Sequence, residues 1–285
     1  MTDPLSLEIG LCWGTLQNAS LIELIEVAGR DGFPTLSIRP DMVRACMDGG
    51  ISAAQLRRHL ADAGVRVRVI DALAAGMPGM AAATAAASAA GQPGPVDEET
   101  CFSVADMVGS PMVNISLFGG EPAPLEALAE AIGQTCRRAA ACGLEIVLEF
   151  VPGTTIPDIG FARAIAQTCG EPNCRVLLDP WHLVRSGGTL DDVLALPPGM
   201  LGGFQLDDWT RPAPGAPYVP MTGRDLPGEG ELPLHAITRA ALVNNPALTA
   251  EIEVFSAELR GLSIDAAAAR VAQAVAVWRA GFEKG

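Results

Sequence analysis

Four oxygen-bearing side chains fall at the ends of four consecutive apolar runs in the second half of the chain. They are Glu149 in Leu-Glu-Phe, Asp179 in Leu-Leu-Asp-Pro-Trp-His, Gln205 in Phe-Gln-Leu-Asp-Asp and Glu253 in Ile-Glu-Val-Phe. An ionised carboxylate left unpaired in such a setting costs on the order of several kcal/mol. Gathered around one divalent cation, the four would satisfy one another. Three carboxylates and one amide carbonyl make an all-oxygen donor set that suits Mn²⁺ or Mg²⁺, with Co²⁺ admissible, and the lack of thiolate argues against structural zinc. The competing account pairs each acid separately, for instance Glu149 with Arg39, and needs a new partner for every residue.

Other candidates surround these four. His182 lies three residues past Asp179, either on the surface after an Asp-Pro turn or facing a cavity where it meets a substrate oxygen. Arg224 opens a Gly/Pro-rich stretch, residues 224–231. That stretch fits a tight turn leading to an acidic helix start, or a loop whose Arg brings a planar fork to substrate oxygens. Trp13, Trp181 and Trp209 all sit at strand ends, where they could wall a substrate site or simply pack the rim. Asp207 shares a face with Gln205 by strand alternation, and Asp208 starts a loop whose neighbours it could orient. Glu251 shares a face with Glu253. His59 and His235 lie in polar helices and are expected on their solvent sides.

Positioning these residues requires a regular scaffold. Apolar strands are expected over 6–12, 34–38, 65–70, 112–117, 144–150, 174–179, 201–206 and 247–254. Between them come helices over 21–32, 52–63, 97–108, 124–142, 157–169, 190–196, 232–244 and 263–282. Ser20 and Ser52 are placed as N-caps, and Gly64, Gly143 and Gly170 as helix stops. Eight strand–helix units in 285 residues predict a (β/α)8 TIM barrel, one domain over 1–285, rather than an open doubly wound sheet. The first turn, Cys-Trp-Gly-Thr, carries no dinucleotide fingerprint, and no Gly-Lys-Ser/Thr segment occurs. Two long loops, 72–96 after the third strand and 208–232 after the seventh, fall on the face where barrel active sites lie. They are expected over the mouth, with a short helix in the Ala run 81–90.

The net charge of −14 disfavours nucleic acid as a partner and does nothing to repel a divalent cation. No stretch approaches roughly 18 uninterrupted apolar residues, so no membrane span is expected. Met-Thr-Asp-Pro-Leu lacks the basic region of a signal peptide. Seven cysteines without a Cys-x-x-Cys pair point to reduced thiols in a cytoplasmic protein. A homo-oligomer is compatible with the sequence, but nothing in it fixes one.

These residues carry a resemblance. Over essentially its whole length the chain resembles the xylose-isomerase-like TIM-barrel superfamily, in the branch of ketose 3-epimerases, hydroxypyruvate isomerase and inosose dehydratase. The segments that carry it are Leu148-Glu149-Phe150, Leu178-Asp179-Pro180-Trp181-His182, Gln205-Leu206-Asp207-Asp208, Arg224 with Pro227-Gly228-Glu229-Gly230, and Ile252-Glu253-Val254-Phe255. The resemblance implies that Glu149, Asp179, Gln205 and Glu253 hold the metal and that His182 and Arg224 contact substrate; Trp13 and Trp181 are candidate substrate-site walls from their strand-end positions alone. Gln205 departs from the His often found at the third ligand position. The implied activity is a divalent-metal-dependent isomerase or epimerase of a sugar-like hydroxyketone. It would work through a metal-stabilised enediolate, with Glu149 and Glu253 as the acid–base pair. A dehydratase of a keto-sugar or keto-cyclitol, or a noncatalytic barrel subunit, are the alternatives. A basic-grooved endonuclease on this scaffold fits poorly with three histidines and the acidic charge.

Overall fold

The structure, a computed structural model, describes residues 4–213 and 223–282. Eight parallel strands close into a barrel in sequence order. They are β1 (Ile9–Cys12), β2 (Thr35–Ile38), β3 (Arg66–Leu73), β4 (Met112–Ser116), β5 (Glu145–Glu149), β6 (Cys174–Leu178), β7 (Leu201–Leu206) and β8 (Ala250–Ile252). β1 pairs with β8 through Ile9–Ala250, Gly10–Glu251 and Leu11–Ile252, which closes the ring. The expected (β/α)8 barrel is the fold observed.

Helix boundaries follow local capping chemistry. Ser20 and Ser52 each form a reciprocal capping box, with Glu23 and Gln55 respectively, and Gly32 and Gly64 end those helices in the left-handed conformation. Helix Pro180–Arg185 was not expected. Asp179 is its N-cap and Pro180 its first residue, so the Asp-Pro pair starts a helix instead of a turn. Helices Pro40–Asp48 and Ala257–Gly261 are likewise additional, each placed in a loop on the mouth side.

Alternation along the strands sorts the interior into layers. Val69, Met112, Val147 and Leu177 form a small apolar cluster inside the barrel, separate from the larger shell between strands and helices. Gly203 sits beside Leu177, where an added Cβ would come within 3.1 Å of its side chain. Two positions further stand Asp71, Asn114 and Glu149 on β3, β4 and β5, and Asp179 just past β6, all buried. An apolar plug therefore supports a polar layer at the mouth.

The long loops frame that mouth. Residues 81–89 form the expected helix, Ala81–Ala89, and the loop returns where Val96 pairs with Leu73. After β7, Asp208 and Asp225 exchange two backbone hydrogen bonds of 2.8 Å. Asp208 also accepts from the amides of Trp209, Gly228 and Leu232, so it does order its loop. Part of the expected loop, 214–222, lies outside the described residues.

Glu251 faces the interior two residues before Glu253, with Thr35 Oγ1 donating to it at 3.3 Å. Burial raises its pKa from 4.5 to about 7, against the charge of Arg68 and the Thr35 bond. The folded protein thus keeps a proton that the unfolded chain has released, and stability falls as pH rises between those values. Glu251→Gln is expected to remove that fall and to raise unfolding free energy at pH 8 by up to about 3 kcal/mol. Urea denaturation of both proteins at pH 5 and pH 8 checks this.

Candidate active site in the barrel mouth

Glu149, the last residue of β5, accepts a 2.8 Å hydrogen bond from Asn114 Nδ2 through Oε2. Its Oε1 lies 3.5 Å from His182 Nε2. Asn114 Nδ2 also donates to Asp71 Oδ1 at 2.7 Å, tying the two carboxylates together. The other oxygen of Asp71 accepts from Trp13 Nε1 at 2.8 Å. Asp179 caps its helix through Oδ1, which accepts from the His182 amide at 2.7 Å. Its Oδ2 accepts from Arg224 Nη2 at 2.8 Å.

Glu253 lies just past β8. Its Oε1 accepts from the Cys12 thiol at 3.2 Å and its Oε2 from Arg224 Nη2 at 3.0 Å. Glu253 lines the mouth cavity, whereas Glu251, Gln205 and Asp179 lie outside its lining. Gln205 is buried on β7, beside Glu251 in the ladder. Its Oε1 has no hydrogen-bond partner among the described residues.

Arg224 is the central cation. Beyond Asp179 and Glu253, it donates to Asp207 Oδ2 through Nε at 2.8 Å, and its Nη2 is 3.2 Å from His182 Nε2. Its guanidinium carbon sits 4.4 Å from the Trp181 ring centre and 5.0 Å from that of Phe255. Arg39, the alternative partner for Glu149, instead pairs with Asp41 and stacks on Trp13 at 4.7 Å. Trp13, Trp181, His182 and Arg224 all line a cavity of about 400 Å³ together with Glu149 and Glu253. Trp209 lies outside it. His59 is exposed, whereas His235 packs against Trp278 and Phe282 rather than facing solvent.

Five carboxylates are buried here against one guanidinium and one imidazole. The imbalance appears in their proton affinities. Burial raises Asp207 and Glu253 well above the ordinary range, reinforced by neighbouring carboxylates and opposed by Arg224. Burial and the Glu149 charge lift Asp71 to about 6. Burial also acts to raise Glu149, but His182 and Asn114 outweigh it and its pKa lies below the ordinary value.

Two groups of buried side chains have ligand atoms within 4.8 Å of one another, Glu149–Asp179–His182 and Cys12–Asp71–Glu253. Each is spaced to hold a divalent cation. Excess negative charge fits such an ion; the unpaired Gln205 oxygen, whose burial costs about 1–3 kcal/mol, belongs to a residue outside the cavity lining. Asp71, Asn114 and Cys12 were not singled out from sequence. Their signal was the same as that of Glu149, a polar residue interrupting an apolar strand, but it lies inside β3 and β4 or at the end of a strand with a small neutral side chain.

If Gln205 is a ligand, Gln205→Leu is expected to weaken Mn²⁺ binding by at least the roughly 10–100-fold that even an outer-shell change costs. Mn²⁺ titration followed by electron paramagnetic resonance measures it.

No helix among the described residues is long and apolar enough to cross a membrane, and all seven cysteines are free thiols. No curated protein matches the chain. Among solved structures, the IOLI protein with a bound zinc atom aligns at TM-score 0.81 and 16% identity, over 97% of this chain and 99% of that one. A D-psicose 3-epimerase crystallised in the presence of D-fructose aligns at TM-score 0.71 and 17% identity, over 96% and 98%. A fusion of a xylose isomerase-like TIM barrel with 4-hydroxyphenylpyruvate dioxygenase aligns at TM-score 0.76 and 16% identity, over 94% of this chain. This chain spans only 42% of that fusion's length. At these identities the likeness is one of fold. The family model for the xylose isomerase-like TIM barrel matches residues 25–280, and the chain belongs to that family.

Proposed function

We propose that the protein is a divalent-metal-dependent isomerase or epimerase of a sugar-like hydroxyketone, with Glu149 and Glu253 as its acid–base pair. The observation that carries this reading is the buried convergence of Glu149, Asp179 and His182 at ligand spacing. Glu149, Asp179, Gln205 and Glu253 would hold the ion, Mn²⁺ or Mg²⁺ in preference to softer metals. The bound ion would supply Lewis-acid polarisation of the substrate carbonyl and its neighbouring oxygen. Two structures of the same fold, one with a bound zinc atom and one a D-psicose 3-epimerase crystallised in the presence of D-fructose, support a metal site and a sugar-like substrate.

The chain's own residues do the remainder. Glu149 on β5 and Glu253 after β8 reach one cavity from separate strands. One carboxylate takes the proton alpha to the carbonyl, and the other returns a proton. Return to the same carbon from the opposite face is epimerisation, and return to the adjacent carbon is aldose–ketose isomerisation. Their unequal proton affinities belong to the cage without an ion, because a dication draws both toward the ionised form. His182 and Arg224 present N–H donors to substrate oxygens, while Trp13, Trp181 and Phe255 wall the cavity and limit water. The free thiols fit a reducing, cytoplasmic setting.

The test is metal analysis of the purified protein, followed by incubation of ketoses and other hydroxyketones in heavy water with Mn²⁺ or Mg²⁺. Deuterium entering recovered substrate or isomer without loss of mass is the expected result. Release of water would reassign the protein as a dehydratase. Failure to exchange a proton on any hydroxyketone would overturn the reading.

A further inference from the structure

Two of the four residues proposed as metal ligands each have one oxygen tied to the scaffold and one turned to Arg224. In Asp179, Oδ1 is held by the His182 amide and Oδ2 accepts from Arg224 Nη2. In Glu253, Oε1 is held by the Cys12 thiol and Oε2 accepts from the same nitrogen. A cation bound through Asp179 Oδ2 and Glu253 Oε2 competes with Nη2 for both oxygens, whereas one bound through Oδ1 and Oε1 would share them with the His182 amide and the Cys12 thiol. Ligand distances for Mn²⁺ or Mg²⁺ are roughly 2.0–2.2 Å. A guanidinium nitrogen within 3.0 Å of both oxygens cannot share them with a dication without a like-charge contact in a buried site.

The rest of Arg224 is tethered independently of those oxygens. Nε donates to Asp207 Oδ2, which is outside the proposed ligand set, and the fork lies between Trp181 and Phe255. The backbone of the next residue is pinned by the reciprocal Asp208–Asp225 hydrogen bonds. Nε and Nη2 belong to one planar fork, so withdrawing Nη2 swings the whole guanidinium, its bond to Asp207 included, while the main chain stays in place.

The geometry points to Arg224 as a resident counter-cation that exchanges with the metal. It neutralises the carboxylate cage and gives up its bonds to Asp179 and Glu253 as an ion enters, so it sets the affinity of the site. The withdrawn nitrogen stays in the cavity that Arg224 lines and is available to a substrate oxygen only once the ion is bound. This inference rests on the metal-dependent reading above.

The experiment measures Mn²⁺ affinity of wild type, Arg224→Gln and Arg224→Lys by the free-ion electron paramagnetic resonance signal, after stripping with EDTA. Arg224→Gln is expected to bind Mn²⁺ at least ~10-fold more tightly than wild type, each tenfold being about 1.4 kcal/mol. Arg224→Lys, which keeps the charge, is expected to stay near wild type. Equal or weaker binding by Arg224→Gln would overturn the exchange while leaving the metal-dependent function standing. Absence of Mn²⁺ binding by every protein would remove both. Should Arg224→Gln not fold, the wild type decides: saturating Mg²⁺ is expected to shift the Arg224 side-chain ¹⁵N resonances, and unmoved resonances would refute the exchange.

Discussion

Glu149→Gln is expected to suppress deuterium incorporation by about 10²–10⁴-fold at saturating Mn²⁺, the range that a positioned general acid or base contributes. The substitution is close to isosteric. A glutamine carbonyl can still accept from Asn114 Nδ2, so the polar layer keeps its hydrogen bond at that point. What disappears is the negative charge and the basic lone pair. The change should not unfold the barrel, because the lost carboxylate is one of five and its charge helps to raise Asp71 and Glu253. Two readouts therefore separate chemistry from folding: the rate of isotope exchange falls steeply, and the thermal midpoint stays near wild type. A variant that folds and exchanges protons within tenfold of wild type would remove Glu149 from the chemistry.

Much of this site was legible in the strand pattern, for a reason the interior layers make plain. Glu149 and Asp179 each stand two positions beyond an inward apolar residue, Val147 and Leu177. Once the strands are recognised, alternation carries both acids into the mouth. The same logic applies to Asp71 after Val69 and Asn114 after Met112. It was hidden in β3 by a shift in the ladder. Leu36 pairs with Val67 and Ser37 with Val69, so Arg68 is an extra residue and simple alternation fails through it. Asn114 was hidden because an amide within a short apolar strand costs nothing visible in the pattern until its partners are known.

The direction of Arg224 was not legible at all. Its sequence neighbourhood suggests a loop over the mouth, and a long flexible side chain there can reach substrate or protein. Only the three-dimensional placement of Asp179, Asp207 and Glu253 sets its position, and those residues come from three different strand ends. The same limit applies to Arg39. Sequence placed it within plausible reach of Glu149, whereas the nearer Asp41 and the Trp13 ring claim its guanidinium.

Arg224→Met should be the most damaging change to the ion-free protein. Methionine fills similar space between Trp181 and Phe255 but leaves Asp179, Asp207 and Glu253 without their shared cation. Removing one partner of a buried ion pair costs about 3–5 kcal/mol, and that loss is expected in urea denaturation at pH 8 with EDTA present. The pH dependence has a definite sign. Burial has already raised the proton affinity of Asp207 and Glu253 in the fold, so both take up protons more readily there than in the unfolded chain. Protonation removes the charge that Arg224 neutralises. The deficit of the variant is therefore largest at high pH and shrinks as pH falls toward 5. Mn²⁺ should also repair it, because an ion that binds only the folded cage stabilises in proportion to the logarithm of its saturation. An Arg224→Met protein as stable as wild type at pH 8 without metal would mean that the guanidinium does not hold this cage together.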